Sequence, residues 1–88
     1  MRGDYATSVR FLKQLAELGD AHAQGELGAA YGTGRGVPRD DVLASMWFSL
    51  AAAGGNSTAG GLRDICLTNM TPDQIAEAQR LSREWKPK

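Results

Sequence analysis

Residues 21–31, Ala-His-Ala-Gln-Gly-Glu-Leu-Gly-Ala-Ala-Tyr, read as a helix, yet they are the wrong residues for a helix standing in water. Ala21, Ala23, Gly25, Gly28 and Ala29 are small. Each glycine inside a helix costs about 1 kcal/mol relative to alanine. A domain has only about 5–15 kcal/mol of net stability, so several such residues need a compensating gain. Close approach of a neighbouring helix supplies it, because a side chain at those positions would be in the way. The stretch therefore implies a packed helical hairpin, and hairpins of this kind stack as repeats. Binding through a repeat surface is the class of function that follows.

The chain has 88 residues, which fits one domain with a modest core. Ten Lys and Arg balance ten Asp and Glu, so no net field draws it to nucleic acid or to an anionic membrane. Arg80, Arg83, Lys86 and Lys88 gather near the C-terminus and read as a solvated helix end rather than a phosphate site. Cys66 is the single cysteine, so no internal disulfide forms and the redox compartment stays open. No apolar run approaches the ~20 residues that span a bilayer. Residues 1–4, Met-Arg-Gly-Asp, lack the apolar core of a signal peptide. The compartment remains unassigned: cytoplasmic by default, periplasmic if Met1 is not the natural start.

Taken in order, the pattern predicts about five helices and no strand. The first runs from Asp4 to Leu18, with Tyr5, Val9, Leu12 and Ala16 on one stripe and Phe11, Leu15 and Leu18 on a second. So wide an apolar arc predicts neighbours on more than one side. Gly19 stops that helix and Asp20 caps the next. The second runs to about Thr33 with Ala23, Leu27, Ala30 and Tyr31 inward. A loop, Gly32-Thr33-Gly34-Arg35-Gly36, and Pro38 precede a third helix that Asp40 caps and that runs to Ala53. Leu43, Trp47, Leu50 and Ala51 share its inner face, flanked by Val42 and Met46. Gly55 and Asn56 repeat the Gly19–Asp20 punctuation 36 residues on. At the same offset Asp4 meets Asp40, Ala16 meets Ala52, Ala23 meets Ala59, Gly25 meets Gly61, and Phe11 falls on Trp47. A fourth helix, 57–70, opens on Gly60 and Gly61; Arg63 and Asp64 stand where Leu27 and Gly28 were. Thr71-Pro72-Asp73-Gln74 then opens a fifth with a capping box. Its inner face is Ile75, Ala78, Ser82 and Trp85, and its polar outer face suits a terminal cap.

The residues Ala21, Ala23, Gln24, Leu27, Gly28, Tyr31, Gly34, Gly36, Val37, Asp40, Ala44, Trp47, Ala51, Ala52 and Gly55 stand at the spacing of a Sel-one-like repeat, which this stretch resembles. That family is a relative of the tetratricopeptide repeats. Residues 4–19 resemble the second helix of a preceding repeat and 56–70 the first helix of a following one. Residues 70–79 resemble the C-terminal ending of many bacterial members. The organisation expected is one domain, 1–88: a partial repeat at 4–19, a full repeat at 20–55, and a degenerate repeat with a C-terminal cap at 56–88. The resemblance implies antiparallel helix pairs stacked in a right-handed superhelix, and an adaptor for protein partners with no catalytic residues and no cofactor.

Chemistry-bearing motifs are few. Gly32, Gly34 and Gly36 lack the spacing of a dinucleotide fingerprint and follow a helix instead of a strand, so they read as a tight turn. His22 has Glu26 one turn on, but zinc needs three or four ligands. Cys66, on a stripe with Leu62 and Ile65, reads as a small buried hydrophobe. Trp47 belongs to the core; Trp85 either covers the last hairpin or packs on a partner element. The remaining candidate is a peptide-binding surface. In stacked hairpins the first helix of each pair lines the concave side, and the second helix here presents His22, Gly25, Glu26, Ala29 and Thr33 away from Leu27 and Tyr31. Gly25 would let a partner backbone approach closely. The partner expected is a protein or peptide. The alternatives are self-association, a second copy covering the apolar first helix as a homodimer, or a fragment of a longer repeat array, an upstream repeat covering that helix.

Overall fold

The computed structural model describes residues 5–88. Among them lie five helices and no strand: α1 Tyr5–Glu17, α2 Ala21–Thr33, α3 Asp41–Ala53, α4 Ala59–Leu67 and α5 Pro72–Glu84. The class is all-α, built from helical hairpins. Asp4, expected to open the first helix, and the Tyr5 side chain, expected on its inner stripe, lie outside the described residues.

Local chemistry sets most helix ends. The Asp20 carboxylate accepts from the Ala23 N–H at 2.8 Å, and Asp40 accepts from the Leu43 N–H at 3.0 Å. Thr71 accepts from the Gln74 N–H at 3.2 Å, while Gln74 Oε1 accepts from the Thr71 N–H at 2.9 Å, closing the capping box. The punctuation 36 residues apart is the same backbone turn twice. Gly19 has φ 102° and Gly55 φ 101°. Asp20 N–H donates to Leu15 C=O at 3.1 Å, and Asn56 N–H donates to Ala51 C=O at 2.9 Å.

α4 is shorter than the expected 57–70 at both ends. At its start Asn56 Oδ1 accepts from the Thr58 N–H at 3.2 Å and from the Thr58 hydroxyl at 3.0 Å, which holds two more residues in a turn. At its end Thr68, Asn69 and Met70 each donate to the carbonyl three residues back, so the chain tightens out of α geometry.

α3 is the central rod: α2, α4 and α5 all pack on it, and α1 packs on α2. One core cluster joins Val9, Ala16, Ala23, Leu27, Ala30, Met46 and Trp47, with Tyr31, Leu43, Leu50, Leu81 and Trp85 against it. Leu27, Tyr31 and Trp47 thus share one interior. A second joins Ala44, Phe48, Ala51 and Ala59, with Cys66 partly buried beside it. Small residues bring the rods together. A Cβ at Gly28 would stand 2.8 Å from Cδ1 and Cε1 of Phe48, and one at Gly54 would stand 2.9 Å from the Cβ of Ala21. Trp85 meets Trp47 edge-on, with ring centroids 6.2 Å apart at 72°, so it covers this chain's own core. The tail returns to α1: the Lys88 N–H donates to Glu17 C=O at 2.8 Å, and its ammonium lies 3.2 Å from the Glu17 carboxylate.

Two expectations about apolar faces fail. α1 has a covered side only along Val9, Leu12 and Ala16; no described helix lies over Phe11, Leu15 and Leu18, which are exposed. On α4 the Ala59 and Cys66 side turns toward Phe48, which leaves Leu62 and Ile65 in solvent. Gly61 also stands open, with nothing within 4 Å of an added Cβ. Gly61→Ala should therefore stabilise the fold by up to about 1 kcal/mol, raising the melting temperature by several degrees in a thermal scan.

Candidate functional site

His22, Glu26, Ala29 and Thr33 recur at helical spacing along α2 and are all exposed, with Gly25 half-buried beside them. They form a ridge between two grooves. One, of about 260 Å³, runs between α2 and α4 and is lined by His22, Gly25, Glu26 and Ala29 against Asn56, Thr58, Ala59 and Leu62. The other, of about 500 Å³, runs between α1 and α2, with Val9 and Leu12 across from Glu26, Ala29 and Thr33. Glu26 and Ala29 line both. The five residues singled out from the sequence are thus brought to one surface.

The Nε2 of His22 lies 3.1 Å from Oε1 of Glu26, an exposed pair one turn apart. Such pairs contribute only a few tenths of a kcal/mol, so both side chains are free to exchange this contact for another. The Thr33 hydroxyl donates to Ala29 C=O at 2.8 Å and keeps its lone pairs outward. Gly25 differs from expectation. A Cβ there would stand 2.5 Å from Nδ2 of Asn56, and that amide donates to Ala21 C=O at 3.3 Å. The room at Gly25 is filled by this chain's own asparagine rather than left for a partner backbone.

The surface has a part that residue-by-residue reading missed. Thirty-six residues beyond His22, Glu26 and Ala29 stand Thr58, just before α4, and Leu62 and Ile65 on it, in the same register. All three are exposed, and Leu62 forms a wall of the first groove. The repeat offset was the signal that could have found them.

Other chemistry is weak. Burial, and next the charge of Asp41, push the Cys66 thiol above its ordinary range, against a smaller opposing effect of Arg39; the thiol stays protonated and poorly nucleophilic at neutral pH. In the glycine loop the N–H groups of Gly34 and Arg35 donate to Ala30 C=O at 2.8 and 3.0 Å, and Asp40 N–H donates to Tyr31 C=O at 3.0 Å. Those amides close α2 and face no ligand. On the outer face of α5, Arg80 binds Glu77 and Glu84, each at 2.7 Å. The hydrogen bond from Arg80 holds the Glu77 carboxyl below its usual range. Among the described residues no three His, Cys, Asp or Glu side chains gather as a metal ion would require. No described helix is long and apolar enough to cross a membrane.

No curated protein matches the chain. A family model does: the Sel1 repeat matches residues 1–20 and 21–56, which is 56 of the 88 residues. Sel1 repeats generally serve as protein-interaction modules and are typically non-catalytic. With the helical hairpins, the turn repeated at 36 residues and the family model in agreement, the chain belongs to the Sel1 repeat family.

Proposed function

We propose that this chain is a non-catalytic adaptor that holds a segment of a protein partner along the α2 ridge and its two grooves. It does so as one unit over 1–88, with a partial repeat at 4–19, a full repeat at 20–55 and a degenerate repeat with a cap at 56–88. The observation that carries this reading is the convergence of His22, Glu26, Ala29 and Thr33 between grooves of about 260 and 500 Å³. Grooves flanking a helix receive extended or helical segments, with apolar walls for side chains and polar ridge atoms for orientation. Partner contact over so small a surface is weak on its own, and avidity from further repeats or copies would strengthen it.

The test is the double variant His22→Ala with Glu26→Arg. A partner recovered with the wild-type chain should bind this variant about tenfold more weakly, or worse. Its melting temperature should stay close to wild type, because exposed substitutions cost about 0.5 kcal/mol or less. Undiminished binding, or a loss of stability that accounts for the loss of binding, would overturn the assignment of these residues. Self-association is a second reading, favoured by the uncovered Phe11, Leu15 and Leu18 of α1.

A further inference from the structure

The large apolar side chains left exposed among the described residues fall into two patches. Phe11 and Leu15 on α1 and Leu18 just after it are 60%, 49% and 65% exposed; Leu62 and Ile65 are 41% and 63% exposed along α4. Single exposed apolar residues need no explanation, but rows of them do. We propose that a second copy of the chain lays its α1 stripe across the α2–α4 surface of the first, so that molecules associate head to tail. This rests on the reading of that surface as a docking site and names an occupant for it.

The two surfaces match in form. Phe11 and Leu15 stand one turn apart on α1, and Leu18, in the turn that follows Glu17, extends the row at an interval of three, the spacing by which a helix anchors in a groove. The receiving side has Leu62 on the groove wall and Ile65 one turn on. Beside them Gly61 presents bare backbone, since an added Cβ would meet nothing within 4 Å. At the equivalent Gly25 the missing side chain makes room for Asn56, but Gly61 serves no packing inside its own chain. A helix laid against α4 is what that bare backbone accommodates.

They also match in charge. Arg10 is exposed on α1, about 100° around the helix from Phe11, at the flank of the stripe. Glu26 stands across the groove from Leu62, and its contact with His22 is an exposed one. An arginine arriving beside Phe11 finds a carboxylate there. Pairing α1 with α1 would leave Leu62 and Ile65 uncovered. The head-to-tail contact uses each patch once, so it propagates until a ring closes or the chain of copies ends. Five apolar side chains make a small contact beside the ~800 Å² per partner of stable interfaces, so the association is weak and concentration-dependent.

Sedimentation of the full chain between about 10 µM and about 1 mM, a range suited to a weak contact, reads this directly. The average mass should rise with concentration. Phe11→Glu and Ile65→Glu should each remain monomeric, with wild-type helicity by circular dichroism. Mixed in equal amounts they should form a dimer and stop there, because the mixture holds one working stripe and one working groove. Leu15→Lys and Leu62→Lys repeat the test should either first variant fail to fold. A wild-type chain that stays monomeric throughout overturns the proposal. So does an Ile65→Glu chain that associates as well as wild type, which signals α1 pairing with α1, or a mixture that yields no dimer. Partner binding measured on monomeric Phe11→Glu, whose α2–α4 surface is intact, tests the adaptor reading separately.

Discussion

Replacing Trp47 with alanine should cost about 3–5 kcal/mol of folding stability, the range for truncating a buried tryptophan. Trp47 is buried in the cluster that joins α1, α2 and α3, and Trp85 lies edge-on against it at 6.2 Å. The truncation opens a cavity at the meeting of the central rod with its neighbours and removes an aromatic pair besides. Because a domain has only about 5–15 kcal/mol to lose, the variant should melt many degrees below the wild type. Urea titration followed by far-ultraviolet circular dichroism checks this, with an unchanged slope indicating that the native state alone was weakened. Trp85→Ala should cost less, since Trp85 is only half-buried and α5 keeps Ala78 and Leu81 against the rest. A loss below about 1 kcal/mol for Trp47→Ala would contradict the placement of the core.

Gly28→Leu should cost about 3 kcal/mol, at the upper end of the range for overpacking a filled core. A Cβ alone would stand 2.8 Å from two carbons of the Phe48 ring and 3.1 Å from a third. The ring is buried among Ala44, Ala51 and Ala59 and has nowhere to retreat. Leucine adds three further carbons to that clash, so α2 and α3 would have to separate. Its better helix propensity returns less than about 1 kcal/mol. A thermal scan should show a melting temperature lower by more than about 10 °C.

The particular residues show what a sequence of this kind discloses. Asp20, Asp40 and Thr71 announced their helices because a cap is a contact within three residues. Gly19 and Gly55 announced the repeat because both need the same left-handed backbone. Phe48 went unread because helical periodicity yields one inner face, whereas α3 has neighbours on several sides and buries Phe48 on another. The short α4 follows from Asn56, whose oxygen holds Thr58 in a turn while its nitrogen reaches back to Ala21, 35 residues away. The α2 ridge could be read because four exposed positions share one stripe. Its continuation onto Leu62 and Ile65 could not be read that way, since apolar residues at helical spacing imply burial until a structure shows which side the helix turns inward.

Glycine is required where rods of the same chain nest and dispensable where they do not. The most direct measurement is the melting temperature of Gly28→Ala beside that of Gly61→Ala. The same methyl group enters a helix in both, and the same gain in helix propensity applies. Opposite signs are expected: a lower melting temperature at Gly28, where Phe48 occupies the space, and a higher one at Gly61, where nothing does. A rise at both positions would show that α2 and α3 do not approach as described.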